Sequence, residues 1–316
     1  MHKLLCGLAC LCFCAATWAA QPVIFDTDMG NDVDDALALA ILHTLTDRGE
    51  CELIGVTLTN ANPAAVPYVR MVNRFYGRPD LPVGAALRSL KGGADDSYLS
   101  AALKTAPAEY RREEKAETAV QVLRRLLAQS KEKVVIVQVG FSTNLAALLE
   151  SKTDGELVKS KVALVSAMAG DFSGGKPEYN VKIDVPSAKA VFERWPTPVV
   201  FSGFEIGRDL LFPAASIEKD FSYARWHPVA ESYRAYKKMP YNRPTWDLTA
   251  ALQAVRPDRH YFETSPAGSV TVDASGNTHF EANPTGTRRY LKLDPASRPR
   301  VIEALTLLSS EPPLRR

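Results

Sequence analysis

Short apolar runs alternate with stretches of helical spacing along most of the chain. The runs are rich in valine, isoleucine and leucine and lie at 23–25, 53–58, 134–139, 162–165 and 199–201. Because they are continuously apolar and do not alternate with polar residues, each predicted strand is expected to be buried on both faces. The pattern predicts an α/β fold, with a mostly parallel central sheet between layers of helices.

Two regions depart from this alternation. Near the C-terminus, runs at 269–272 and 278–281 flank Ala274-Ser275-Gly276-Asn277, which predicts a small β-hairpin. A strand near 290–293 and a helix at 299–308 follow. The sequence of the segment 85–115 is consistent with two structures, a loop that borders a ligand site or a plain surface connection.

The first 20 residues have the pattern of a signal peptide. Lys3 precedes an apolar stretch at 4–16, and Thr17-Trp18-Ala19 gives a small-x-small cleavage site. The stretch is too short for an ordinary membrane span, so we expect export to the periplasm or beyond and no stable membrane anchor. Residues 21–316 are predicted to form a single domain, in which Cys51 is the only cysteine and no internal disulfide forms.

The charge balance limits the class of partner. The formal net charge is +2, with acidic and basic residues in near balance, which argues against nucleic acid as a main partner. We expect a small-molecule partner, and the sequence leaves a homo-oligomer open.

Five aspartates crowd the junction between the first predicted strand and the first helix. They are Asp26, Asp28, Asp32, Asp34 and Asp35. Two carboxylates about 4 Å apart repel by roughly 1 to 4 kcal/mol, so converging acids favour a bound cation. An acidic helix cap with solvated carboxylates would explain only one or two of them. The all-oxygen set favours a hard cation, and we expect Ca²⁺ because an exported protein meets abundant calcium.

The segment DTDMGNDVDDALAL resembles the N-terminal motif DTDPGxDDAxAL of the calcium-dependent nucleoside hydrolases of the inosine-uridine preferring type. Further matches follow in the family's order along the chain. They are Asn62, Val139-Gly140 before Ser142-Thr143-Asn144-Leu145, Glu178-Tyr179-Asn180, and Trp246-Asp247-Leu248-Thr249-Ala250. The resemblance implies a nucleoside-hydrolase-like (Rossmann-like) fold and hydrolysis of the N-glycosidic bond of ribonucleosides or related N-ribosides.

The resemblance also implies a role for individual residues. Calcium would be held by Asp28, Asp35, Asp247 and the Val139 carbonyl, and Asp34 would be the base that takes a proton from water. The predicted substrate contacts come from the residues Asn62, Asp171, Glu178, Asn180 and Trp246.

Three departures from the family motif affect these roles. Two extra residues lie between Asp28 and the Asp34-Asp35 pair, and an ungapped alignment makes Asp32 the base instead. Trp246 stands where the inosine-uridine enzymes have a histidine, so the acid for a purine leaving group is missing there; the indole is expected either to stack on a base or to serve in packing. Asp171 is the only candidate where a sugar-contacting asparagine is expected.

Two other functions fit parts of the sequence. A haloacid-dehalogenase-like phosphatase also begins with strand-Asp-x-Asp and would use Asp26 as nucleophile with magnesium, but it leaves Asp34, Asp35 and Asp247 unexplained. A calcium-dependent protein that binds nucleosides or sugars without turnover is suggested by Trp246.

Overall fold

A computed structural model describes residues 20–90, 97–111 and 115–314. Most of the predicted signal peptide therefore lies outside the described residues. So do Gly92-Gly93 and Asp95-Asp96, the residue pairs that favour a loop in the segment 85–115. The strands are β1 Gln21–Thr27, β2 Cys51–Leu58, β3 Val83–Ala85, β4 Glu117–Thr118, β5 Val134–Gln138, β6 Val162–Met168, β7 Val199–Ser202, β8 Leu211–Phe212, β9 Arg243–Pro244, β10 Glu263–Thr264, β11 Gly268–Val272, β12 Thr278–Ala282 and β13 Arg288–Lys292.

Eleven of these strands form one sheet, in the order β12-β11-β13-β7-β6-β5-β1-β2-β3-β4, with β10 paired to β13. The pairs from β4 through β1 to β7 and β13 are all parallel. The pairs of β10 with β13 and of β11 with β12 and β13 are antiparallel. The mostly parallel sheet and the hairpin at 268–282 are as predicted.

Helices cover both faces of the sheet. They are α1 Asp34–Asp47, α2 Ala65–Phe75, α3 Ser97–Thr105, α4 Ala119–Gln129, α5 Thr143–Leu148, α6 Lys152–Lys161, α7 Tyr179–Ile183, α8 Val185–Arg194, α9 Phe204–Arg208, α10 Ala214–Lys219, α11 Pro228–Tyr236, α12 Trp246–Val255 and α13 Arg298–Ser310. None of the helices in the described residues is both long and apolar enough to cross a bilayer.

The continuous apolar runs are explained by two hydrophobic clusters, one on each face of the sheet. In β1, Val23 and Phe25 pack with the cluster under α1, α2 and α12. Ile24 points the other way, into the cluster that includes residues of α4, α5 and α8. A strand buried on both faces has no polar side, and this confirms the prediction.

The segment at 85–115 is more regular than a loop. Its described part contains α3, whose Tyr98 and Leu99 are fully buried in the core under α1 and α2. The helix therefore packs next to the aspartate-rich turn, which gives this segment a place beside the site.

Candidate active site

A cavity of about 290 Å³ opens at the carboxyl ends of the parallel strands. Ligands of open α/β sheets bind at this edge because the strands end there and the loops leave a crevice. The acids at its floor come from the turn after β1 and from the first turns of α1 and α12. The lining residues are Asp28, Asn31, Asp32, Asp35, Val139, Met168, Glu178, Tyr179, Asn180, Phe204, Tyr236, Arg243, Trp246 and Asp247.

Three carboxylates converge on one point of the cavity floor. Oxygen atoms of Asp32, Asp35 and Asp247 all lie within 4.8 Å of one another. Asp28 lines the same cavity and is 4% exposed. Asp35 and Asp247 lie in the first turns of α1 and α12, where the helix dipole favours negative charge.

Burial and mutual repulsion hold these carboxyls toward the protonated state. Burial is the main cause that raises the pKa of Asp28, Asp35 and Asp247 well above the usual value, and repulsion by the neighbouring aspartates adds to it. The pKa of Asp32 is also raised by burial, although the Arg243 guanidinium opposes this. A bound cation would return all four to the charged form.

The turn that carries these acids is fixed by α3 and by one glycine. Gly30 has φ of +112°, and a Cβ there would lie 2.6 Å from Asn62 Nδ2. The Tyr98 hydroxyl accepts from Gly30 N at 2.9 Å and donates to the Asp32 carbonyl at 2.6 Å. Tyr98 thus sets the path of the two-residue insertion in the motif, a role that the sequence did not indicate.

Asp34 lies behind the cavity, outside its lining. Its Oδ2 accepts the backbone N–H of Asp247 at 3.1 Å, which ties α1 to the start of α12. Its Oδ1 lies 3.6 Å from Arg243 Nη2 and has no hydrogen-bond partner among the described residues. Asp32, the alternative from the ungapped alignment, faces the cavity instead.

The sugar side of the cavity is built from the loop after β6 and from α7. Glu178 caps α7 and accepts from Asn180 N at 2.8 Å and Gly170 N at 3.1 Å, while burial raises its pKa to about 7. Asn180 Nδ2 donates to the carbonyl of Val139 at 2.7 Å. The cavity thus brings together Glu178, Asn180 and the predicted carbonyl ligand.

Aromatic rings form the opposite wall. Trp246 stacks on Phe204, with ring centroids 5.4 Å apart, and its indole N–H donates to the Phe204 carbonyl at 2.9 Å. Arg243, which the sequence did not single out, completes this wall beside Tyr236 and Trp246.

Two other predicted substrate contacts lie away from the lining. Asn62 is buried beneath Gly30, and its Oδ1 accepts from Ala64 N at 2.9 Å. Asp171 caps its own turn by accepting from Ser173 N at 2.9 Å. Their roles in binding stay predictions.

The donor set fits a hard divalent cation. The buried oxygen Asp28 Oδ2 has no hydrogen-bond partner among the described residues, and three other carboxylates converge beside it. An unpartnered anionic oxygen in a buried site is costly unless positive charge is near. Asp28, Asp35 and Asp247 could hold such an ion, with Asp32 and the Val139 carbonyl next to them.

The family model of the inosine-uridine preferring nucleoside hydrolases matches residues 23–303. The chain belongs to this family. The membership confirms the resemblance of the aspartate motif and leaves no support for the phosphatase alternative. Nucleoside hydrolases are also among the similar proteins in the comparisons of whole sequences and of folds.

Among the curated proteins, the chain is similar to the pyrimidine-specific ribonucleoside hydrolase RihA of Salmonella enteritidis. It is 31% identical over 212 residues, which cover 63% of this chain and 65% of RihA. The aligned part therefore spans less than two thirds of either protein.

Solved structures share the fold over nearly the full length. The plant nucleoside hydrolase PpNRh1 has a TM-score of 0.71 at 22% identity, with 93% of this chain and 100% of that chain covered. The inosine-uridine preferring nucleoside hydrolase of Bacillus anthracis has a TM-score of 0.73 at 17% identity, with 92% and 99% covered. The type III effector XopQ, complexed with adenosine diphosphate ribose, has a TM-score of 0.71 at 19% identity, with 92% and 93% covered. These likenesses confirm the α/β fold.

Proposed function

We propose that this protein hydrolyses the N-glycosidic bond of ribonucleosides or closely related N-ribosides. One observation carries the proposal: in this member of the nucleoside hydrolase family, a single cavity is lined by Asp28, Asp35, Asp247, Glu178 and Asn180. Carboxylates from distant parts of the chain face polar groups suited to sugar hydroxyls, and an aromatic wall closes the other side. The cavity is of the size that small ligands occupy.

The chemistry follows from where charge develops. Breaking a glycosidic bond builds positive charge on the ribose ring, and fixed carboxylates around the ring stabilise that charge. When bound, the divalent cation would supply positive charge that orients and acidifies a water molecule. Glu178 and Asn180 would hydrogen-bond the ribose hydroxyls and hold the anomeric carbon over the acids.

A carboxylate must take the proton of the attacking water. The family motif assigns this role to Asp34, and its place behind the cavity gives that assignment little support. Asp32 lines the cavity with its carboxylate near Asp35 and Asp247, which supports the alternative alignment. We propose Asp32 as the base, and Asp34 as the group that positions Asp247.

We propose Ca²⁺ as the cation because the candidate ligands are all oxygens and the site combines carboxylates with a backbone carbonyl. We also propose that residues 1–20 are a cleaved signal peptide and that the mature protein is exported. Mass spectrometry of the protein recovered from the producing cells would test the cleavage, and an intact N-terminus would contradict it.

The activity is tested with a panel of purine, pyrimidine and nicotinamide ribosides, scored for released ribose with and without a chelator. We expect release from at least one class, lost on chelation and restored by calcium. RihA is described as pyrimidine-specific, and this makes uridine and cytidine the first substrates to try. Binding of ribosides with no ribose released from any class would favour the binding-only alternative that Trp246 suggests.

A further inference from the structure

Arg243 is held in the cavity wall by its backbone and by its neighbours. It lies in β9, which pairs antiparallel with β8 so that Arg243 faces Phe212. The loop before it is fixed by two hydrogen bonds, from Tyr233 Oη to the Tyr241 carbonyl at 2.9 Å and from Tyr241 Oη to the Tyr233 carbonyl at 2.6 Å. The arginine therefore has a defined position in the folded protein.

The guanidinium group lies between two rings and one carboxylate. Its carbon is 5.0 Å from the centre of the Tyr236 ring and 5.1 Å from that of Trp246. Nη2 donates to Asp32 Oδ2 at 2.7 Å, and the side chain is 15% exposed. Nε is buried without a hydrogen-bond partner among the described residues. The same Nη2 lies 3.6 Å from Asp34 Oδ1. A guanidinium has five N–H donors, so these two ion pairs through one nitrogen leave donors for a ligand.

The departing base needs positive charge near it, and among the described lining residues only Arg243 carries one. When the bond from C1′ to nitrogen breaks, the electron pair stays on the base, which leaves as an anion unless its charge is stabilised. The Trp246 N–H is already bonded to the Phe204 carbonyl. Among the residues described as lining the cavity, Arg243 alone is cationic, against five carboxylates.

We propose that Arg243 stabilises the anionic nucleobase as it departs, which makes it a catalytic residue for leaving-group stabilisation. The inference rests on the proposed ribohydrolase function. The attacking water bonds to C1′ through its oxygen, keeps one proton as the new hydroxyl group and gives the other to a carboxylate. The electron pair of the broken bond goes to the base, and solvent later protonates that base. Arg243 transfers no proton, and its N–H groups donate to the ring nitrogen or carbonyl oxygen on which the charge develops. Bases with such acceptors are the leaving groups it suits.

The test compares two leaving groups in the purified, calcium-loaded enzyme. Uridine or inosine must release a poor leaving group, whereas p-nitrophenyl β-ribofuranoside releases a phenolate that is stable without help. Arg243→Met should lower kcat on the nucleoside by about 100-fold or more, the size typical of one lost charge-stabilising donor. The same variant should keep kcat on the p-nitrophenyl riboside within about fivefold. Arg243→Lys should recover part of the nucleoside activity.

Two controls separate this role from a structural one. Arg208→Met removes an exposed arginine that lies 6.0 Å from the Phe204 ring and outside the cavity, and it should leave both rates unchanged. Calcium affinity by calorimetry should not fall in Arg243→Met, because the variant removes a positive charge from beside the acids. Thermal unfolding checks that each variant is folded, and Arg243→Lys carries the test if the methionine variant is not.

The possible outcomes are distinguishable. Equal losses on both substrates, or weaker calcium binding, would overturn the inference, because Arg243 would then act only by holding Asp32 in place. Unchanged nucleoside turnover would overturn it as well. If the wild-type enzyme cleaves neither substrate, the proposed function fails first and the inference fails with it.

Discussion

At the scale of single residues, neighbouring aspartates of one motif serve different purposes. Asp26 is buried under the cavity floor, where it accepts from Thr57 Oγ1 at 2.6 Å and Asn144 Nδ2 at 2.8 Å. Asp28 and Asp35 face the cavity, and Thr27 Oγ1 donates to Asp35. Asp34 points away and accepts from Asp247 N. The spacing of a motif thus indicates a site without fixing which member does the chemistry.

The choice of base can be decided with two variants. Asp32→Asn keeps the shape of the side chain and removes its basicity, so we expect kcat on the best riboside to fall by about 10²- to 10⁴-fold. Asp34→Asn should keep most turnover, because an amide oxygen still accepts from Asp247 N. Single-turnover kinetics on both proteins measure this. Loss of turnover in Asp34→Asn with activity retained in Asp32→Asn would return the role to Asp34.

Gly30→Ala tests how tightly the aspartate turn is built. A positive φ at an alanine lowers the free energy of unfolding by about 1 to 2 kcal/mol. Here its Cβ would also lie 2.6 Å from Asn62 Nδ2 and 2.8 Å from Leu99 Cδ1. Gly77→Ala is the matched control, with φ of +73° and nothing within 4 Å of its Cβ. Urea denaturation should show Gly30→Ala less stable than the control by about 1 to 3 kcal/mol. Equal losses would contradict the steric part of the argument.

At the scale of elements, a buried histidine joins α1 to α2. His43 Nε2 lies 2.9 Å from Asn73 Oδ1, and its ring stacks on Tyr76 with centroids 4.7 Å apart. Burial, with some help from Arg78, lowers the pKa of His43 to about 3. His227 is likewise buried among aromatic rings, and its pKa is lowered to about 3, mainly by burial. It also lies outside the cavity lining.

The sign of the pH effect follows from this lowered pKa. The unfolded chain binds a proton at His43 below about pH 6.5 while the folded protein does not, so this contribution to stability is present above pH 6.5 and is lost as the pH falls toward 3. The loss is at most about 1.4 kcal/mol per pH unit. Buried carboxyls with raised pKa act in the opposite direction, so the comparison must be between variants.

The measurement is urea unfolding of the wild type and His43→Gln from pH 7.5 to pH 4.5. The stability advantage of the wild type should shrink as the pH falls, because glutamine does not titrate. His260→Gln, at an exposed position, is the control for removing a histidine outside the core. A constant difference for His43→Gln would show that the histidine is not buried in its neutral form.

The elements that could be predicted are those with a strong pattern in their own stretch of sequence. The parallel strands could be predicted because their apolar runs are unbroken, and the aspartates were expected near the cavity because they follow β1. Helix α3 was missed because Gly92-Gly93 and Asp95-Asp96 before it favour a loop. Arg243 was missed because it lies in a two-residue strand whose position depends on pairing with β8. The insertion after Asp28 could not be resolved, since its path depends on contact with Tyr98, far along the chain.

At the scale of the whole molecule, the sheet order explains why distant residues share one site. Parallel β1, β5, β6 and β7 are neighbours, so the segments after them open at the same edge. Asp28 follows β1, Val139 follows β5, and α12 brings Asp247 across, 213 residues from Asp34 in sequence. A cation held there would link these parts, and it should stabilise the folded protein as any ligand of the native state does.

Calorimetric titration of the metal-stripped protein with calcium tests the cation site, with riboside hydrolysis followed in the same samples. We predict one calcium ion per chain, with activity returning over the same concentration range as the heat. Asp247→Asn should bind calcium about 10- to 100-fold more weakly because it loses a charged ligand, whereas Asp209→Asn, at a half-buried position outside the cavity lining, should bind as the wild type does. Full hydrolysis in the metal-free protein, or equal affinity in Asp247→Asn and the wild type, would contradict a metal-dependent ribohydrolase built on this acidic cluster.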